Sequence, residues 1–241
     1  MAVKRSQSAS RVLTVFEEIA RAQPIGVSAL ARALGANKSA VQRDLMTLSD
    51  AGWIRPASGE ARNWELTHHV LTLARPPHSS DNLRLRIRPL LERLRVLSDE
   101  TVYLTVPHQG RFVVIEALES HHMLRVVPPV GMVVPVEGSA TAKAMLAHLS
   151  EGDQARLIGA APPPALQAEL AQTRMRGYAV NDGDVMPGSV TLASALLDAN
   201  ARPLGALVVT GPAERMRRER WPELGGYLRD ASRLAVTGEA A

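Results

Sequence analysis

Residues 27–53, VSALARALGANKSAVQRDLMTLSDAGW, hold two short apolar stripes parted by a glycine. Val27, Leu30, Ala31 and Leu34 recur at i, i+3, i+4 and i+7, which is one face of a helix. Gly35 stops that helix, because glycine takes the left-handed conformation without a Cβ penalty. Asn37 suits the N-cap of the next helix, where its side chain accepts from orphan N–H groups. That second helix carries Val41, Leu45 and Leu48 on one side and Ser39, Arg43, Met46 and Thr47 on the other, with Gln42 on the flank. An apolar back and a polar, cationic front on the second of two helices joined by a tight turn fit the major groove of DNA.

Beyond Gly52 the pattern turns β-prone. Trp53 to Pro56 and Arg62 to Leu66 flank a Ser58-Gly59 turn and read as a hairpin bearing Arg55 and Arg62. Helix, turn, helix and basic hairpin make a winged helix-turn-helix, the helices over about 27–50 and the wing over about 53–66. Upstream, residues 11–22 read as a helix with Val12, Phe16, Ile19 and Ala20 on one face, ended by Pro24. Lys4 and Arg5 sit in a polar basic arm. Thr67 caps a short helix through Val70, Leu71 and Leu73.

Charge is unevenly placed. The chain has 241 residues and a net charge of +4, yet residues 1–80 hold ten Lys/Arg against six Asp/Glu, while residues 101–241 hold thirteen against fourteen. Positive excess confined to the helix-turn-helix segment is what a phosphate-facing module requires. No cysteine occurs, so disulfides and thiolate metal sites are excluded. No secretory leader or bilayer-length apolar run is evident, so a soluble cytoplasmic protein without membrane contact is expected.

The prolines at 76 and 77 break the chain, and Asp81 can cap a long helix with Leu83, Ile87, Leu90, Leu91, Leu94 and Leu97 inward and five arginines in solvent. Pro89 predicts a kink or break near Arg88. The expected domains are therefore 1–76 for DNA binding, 77–98 as a linker helix, and 99–241 as a distal domain. In that domain, residues 101–106 and 111–117 flank His108-Gln109-Gly110 as a hairpin, and 123–127 reads as a third strand. Helices follow over 138–146 and 165–176, strands over 190–197 and 202–210, and a closing helix over 215–235. The class is α+β.

On these segments the chain resembles the IclR family of bacterial transcriptional regulators. Seven stretches carry the likeness in series: KSAVQRDLMTLSDAGW, RPLLERL, TVYLTVPHQGRFVVIEALES, VGMVVPVEGSATAKAMLA, RGYAVNDGD, PGSVTLASALLD and PLGALVVTG. The resemblance implies an N-terminal winged helix-turn-helix, a linker helix and a C-terminal antiparallel-sheet effector-binding domain of GAF-like form. It further implies a homodimer or dimer of dimers on a pseudo-palindromic double-stranded operator, acting as repressor or activator. The small-molecule effector it implies is a carboxylate of a catabolic pathway.

Carried onto this chain, base reading falls to Ser39, Gln42, Arg43 and Thr47, with Arg43 suited to guanine and Gln42 to adenine. Lys38, Arg55 and Arg62 fall on phosphates. The effector wall falls to Val130, Gly131 and Met132, to Gly138, Ser139, Ala140 and Thr141, and to Thr191, Leu192 and Ala193. Asp184 either accepts from a ligand hydroxyl or caps a turn. The chain departs from the family pattern at Thr191, Ala195 and Ala142 near that pocket, and at Gln42 and Asp44 in the reading helix, so neither effector nor operator transfers.

Two other readings remain: a small-molecule enzyme with an accessory winged helix, and a DNA-binding protein that takes no ligand. The first would use His121, His122, Glu116, Glu119, Asp182 and Asp184. Neighbouring histidines on a strand point to opposite faces and chelate poorly, and no HExxH, GxSxG or Walker loop occurs. No catalytic residue, metal or cofactor is expected.

Overall fold

The computed structural model describes residues 6–73 and 83–237. The basic arm at Lys4 and Arg5, the breaker around Pro76 and the Asp81 cap lie outside the described residues. Two compact units divide the chain, Met1–Ser79 and Ser80–Ala241.

The first unit runs α1 (Gln7–Ala22), β1 (Ile25–Gly26), α2 (Val27–Ala33), α3 (Lys38–Asp50), β2 (Ile54–Ala57), β3 (Glu60–Leu66) and α4 (His69–Leu73). Gly35 takes φ +57° between α2 and α3, and the Asn37 side chain accepts from the Ser39 N–H at 2.9 Å, so both turn residues act as their chemistry dictates. Leu30, Val41, Leu45 and Leu48 are buried with Val15, Ile19, Ile25 and Ile54 in one core. The inward face of α1 is centred on Val15 and Ile19; Ala20 is exposed, because the stripe turns one position from the one expected. β1 adds an edge to the wing, Ile25 pairing with Trp64, which two residues of sequence could not signal. Thr67 caps α4, its hydroxyl accepting from the His69 N–H at 3.2 Å and donating to the Gly52 carbonyl at 2.6 Å.

The second unit opens with α5 (Leu83–Ser98), then β4 (Thr101–His108), β5 (Arg111–Leu118), β6 (Val133–Val134), α6 (Ala140–Leu146), α7 (Glu151–Ile158), α8 (Pro164–Arg176), β7 (Ala179–Asp182), β8 (Ser189–Leu197), β9 (Pro203–Pro212) and α9 (Trp221–Thr237). The strands form one antiparallel sheet in the order β6-β5-β4-β9-β8-β7. Strand alternation splits its core. Leu207 and Val209 face the α5 and α9 side with Ile87, Leu91, Leu94 and Leu228. Ala206 and Val208 face the α6 and α8 side with Phe112, Met145 and Leu170.

Four expectations need correction. Residues 123–127 form no strand; Met123 is 97% exposed and Leu124 71%, so their apolar character does not serve a sheet. Of the kink or break expected near Arg88, the break does not occur: α5 continues through Pro89, and the carbonyl that proline frees belongs to Leu85, an exposed residue that water can reach. Leu97 is exposed rather than inward. Nor are the arginines of α5 all merely solvated: Arg84 and Arg88 both pair with the buried carboxylate of Glu116.

Candidate functional site

The first candidate is the outer face of α3. Val41, Asp44, Leu45 and Leu48 face inward, which leaves Lys38, Ser39, Gln42, Arg43, Met46 and Thr47 exposed. The Ser39 hydroxyl donates to the Asn37 cap at 2.8 Å, and the Thr47 hydroxyl donates to the Arg43 carbonyl at 3.0 Å. Both keep lone pairs for an incoming donor, while Gln42 and Arg43 present their full amide and guanidinium groups. On the wing, Arg62 is exposed, and Arg55 pairs with Glu65 across the hairpin at 2.8 Å. Arg11, which the helical pattern did not single out, holds Asp44 from α1.

The second candidate is a cavity of about 380 Å³ on the α6 side of the sheet. Of the expected wall, Met132, Ser139, Ala140, Thr141 and Thr191 line it. The others do not. Leu192 points to the opposite face, into the α5 and α9 core, as alternation after Thr191 requires. Ala193 returns to the cavity side but is sealed in the packing with α6. Val130 and Gly131 are exposed at a turn, with Gly131 at φ +90°. Gly138 takes φ +70° and lies against the Asp184 side chain, whose Cβ a Gly138 Cβ would meet at 3.3 Å. Asp184 itself is mostly exposed and accepts from Asn181 Nδ2 at 3.3 Å, bracing the loop rather than lining the cavity.

Sequence reasoning missed Tyr103, Arg125, Asn181, Ser189 and Thr210, which complete the polar part of the lining. Thr191 and Thr210 are register partners on β8 and β9 and share a hydrogen bond at 2.9 Å. The Ser139 hydroxyl caps α6, accepting from the Ala142 N–H at 3.1 Å while donating to the Pro135 carbonyl at 2.6 Å. Thr141 Oγ1 is buried, and its hydroxyl interacts with the Tyr103 phenol. Burial pushes the Tyr103 phenol well above its ordinary value, an effect that the neighbouring Thr141 hydroxyl partly opposes. Lys143, one turn along α6, is spoken for: Nζ meets Glu169 at 2.8 Å and the Val180 carbonyl at 3.3 Å.

The acids and histidines of the enzyme reading do not converge. Glu116 is neutralised by two arginines, Asp182 pairs with Arg218, and His122 meets Asp99. Among the described residues no group of three or more metal-ligating side chains comes together, and no helix is long and apolar enough to cross a membrane.

A winged helix-turn-helix with a bare polar reading face, followed in the chain by a sheet domain enclosing a cavity, defines a DNA-binding regulator with a sensor-type domain. Residues 8–58 match the IclR helix-turn-helix domain, and residues 78–235 match the bacterial transcriptional regulator IclR C-terminal family. The transcriptional repressor IclR of Escherichia coli K12 is 30% identical, over 94% of this chain and 88% of its own. The fold is shared with an IclR transcriptional regulator from Alicyclobacillus acidocaldarius (TM-score 0.82, 19% identity, 97% and 99% of the two chains). It is shared too with an IclR homologue from Microbacterium hydrocarbonoxydans complexed with 4-hydroxybenzoate (TM-score 0.78, 20% identity, 96% and 98%). The chain belongs to the IclR family of bacterial transcriptional regulators.

Proposed function

We propose that this regulator binds a pseudo-palindromic double-stranded operator through α3 and the wing, and that a small metabolite in the cavity changes its affinity for that operator. Ser39, Gln42, Arg43 and Thr47 read base edges, and Lys38, Arg55 and Arg62 grip phosphates. The observation that carries the reading is the division of α3, whose apolar side is spent in the core while its polar side is wholly exposed. A helix of that make inside a wing has a largely polar surface suited to a groove, with Met46 its one exposed large apolar side chain.

The effector is read as a carboxylate, and the metabolite-bound homologue of the same fold supports a ligand in this part of the family. Residues 1–76 serve DNA binding, residues 77–98 link, and residues 99–241 sense. The working form is a homodimer or dimer of dimers in the cytoplasm, because half-site spacing must match paired reading helices. Ligand binding biases the arrangement of the paired protomers, and α5, the helix that opens the second unit, carries that bias to the reading helices. Coupling of about 1–3 kcal/mol is typical of such regulators. Catalysis forms no part of this reading.

Fluorescence anisotropy on the DNA upstream of its own gene tests it. Complexes should weaken steeply with salt, at a slope set by the number of phosphates gripped. Thermal-shift screening of a metabolite library should find a stabilising compound that also alters the DNA complex. Salt-insensitive or absent complexes would refute the operator reading, and a library without a single stabiliser would favour a ligand-free DNA binder.

A further inference from the structure

We propose that Met46 is a specificity-determining residue of the DNA interface, reading a thymine through its C5 methyl group. This rests on the reading that α3 enters the major groove of an operator. It adds an apolar contact to the hydrogen-bonding residues already placed there.

Helical geometry puts Met46 at the centre of the outward face of α3. At about 100° per residue, Ser39 lies about 20° from Met46, with Gln42 about 40° to one side and Arg43 about 60° to the other. Val41, Asp44, Leu45 and Leu48, the buried positions, all lie about 100° or more away. Met46 is 45% exposed and takes no part in the core of the first unit. Lys38, Ser39, Gln42, Arg43 and Thr47 around it are polar or charged, and they too are exposed. A large apolar side chain in that position leaves part of its burial energy unrealised until another surface covers it.

Duplex DNA is the surface this face fits. Lys38 and Arg43 supply positive charge beside the methionine, and Arg62 on the wing is exposed as well. In the major groove every base offers hydrogen-bonding atoms, but thymine alone adds a methyl group. Side chains that act through hydrogen bonds do not register that methyl, whereas an apolar one gains by covering it. Methionine suits the task, because three rotatable bonds let its thioether adapt to the position of the group it meets. A rise of 1.5 Å per residue sets Met46 about 4.5–6 Å along the helix from Arg43 and Gln42. That is one to two base-pair steps, so the methyl belongs to a pair next to those that Gln42 and Arg43 read.

Deoxyuridine tests the contact, since it keeps every hydrogen-bonding group of thymidine and lacks only the methyl. Fluorescence anisotropy of the full chain is read on the DNA upstream of its own gene, with each thymidine of the bound site replaced in turn. At one position in each half-site affinity should fall about fourfold, the worth of one buried methyl. Met46→Leu should keep that loss. Met46→Gln should abolish it without lowering the melting temperature of the free protein, because the side chain is exposed and outside the core. A loss that persists undiminished in Met46→Gln would assign the methyl to another residue and overturn the proposal. A salt-dependent complex in which no thymidine is sensitive refutes the methyl contact and leaves the operator reading standing, whereas the absence of any complex refutes both.

Discussion

Arg11 on α1 forks onto Asp44 in the middle of the reading helix, Nε to Oδ2 at 2.6 Å and Nη2 to Oδ1 at 3.1 Å. Asp44 points inward between Val41 and Leu48 with its side chain 5% exposed, so the guanidinium is what makes a carboxylate tolerable there. A bidentate pair also fixes orientation, and here it sets how α3 is rolled against α1. Arg11→Ala should lower both the melting temperature and DNA affinity, because the stranded carboxylate either unpacks α3 or draws water into the core. Adding Asp44→Leu, which continues the apolar face of α3, should restore most of the stability. A double-mutant cycle by thermal unfolding checks this; a double variant no better than Arg11→Ala would show that the pair is not what holds the helix.

A second pair makes a similar demand in the sheet domain. Glu100 is fully buried and held by both arms of Arg215, at 2.6 and 2.8 Å. Gly211 on β9 leaves room for it: a Cβ at that position would lie 2.5 Å from Glu100 Oε2. Gly211→Ala should therefore cost about 1–3 kcal/mol in urea unfolding, as overpacking against an anchored group does. A value within error of the wild type would mean that Glu100 moves aside freely and that the pair is looser than its geometry indicates.

How far the sequence could be read depends on how many faces each element buries. α2 and α3 each bury one, so a 3.6-residue stripe marked Leu30, Val41, Leu45 and Leu48 as core and the opposite face as exposed. The central strands are covered on both faces, so apolar content alone could not say which side Thr191 or Leu192 would take. Tyr103 and Thr210 reach the cavity through register between strands distant in sequence, and only the pairing of β4 with β9 and of β9 with β8 makes them neighbours of Thr191. Asp44 stood out as a departure from the family pattern, but Arg11, the residue that explains it, lies 33 positions away on another helix. The apolar run at 123–127 misled because β-propensity reports a fit to a half-buried pleat, and here no neighbouring strand supplies one.

The exposed cations of the DNA-binding unit divide into two testable kinds. Arg43 lies on the bare face of α3 with no ion pair among the described residues, free to fork onto a guanine edge. Arg43→Ala should cost about 1–3 kcal/mol of operator affinity and relax preference at one base position. Arg62, on the wing, should act on phosphate: Arg62→Ala should weaken all sequences alike and reduce the salt slope by about one. Anisotropy titrations on the operator and its single-base variants at several salt concentrations read both. Uniform weakening by Arg43→Ala would reassign it to the backbone.

His148, after the end of α6, supplies a pH dependence with a definite sign. Burial, reinforced by the positive charge of Arg174, holds its imidazole below the ordinary value of 6.5. The unfolded chain takes up a proton near 6.5 while the folded chain still resists it, so between the two values the unfolded state binds more protons. Stability is unaffected by this residue above 6.5 and declines as pH falls below it, levelling once the folded protein is protonated as well. His148→Gln removes that share of the acid sensitivity. The melting temperature of the variant relative to the wild type should therefore rise on going from about pH 7.5 to about pH 5.5. A difference that stays constant between those two values would mean that His148 titrates alike in the folded and unfolded chains.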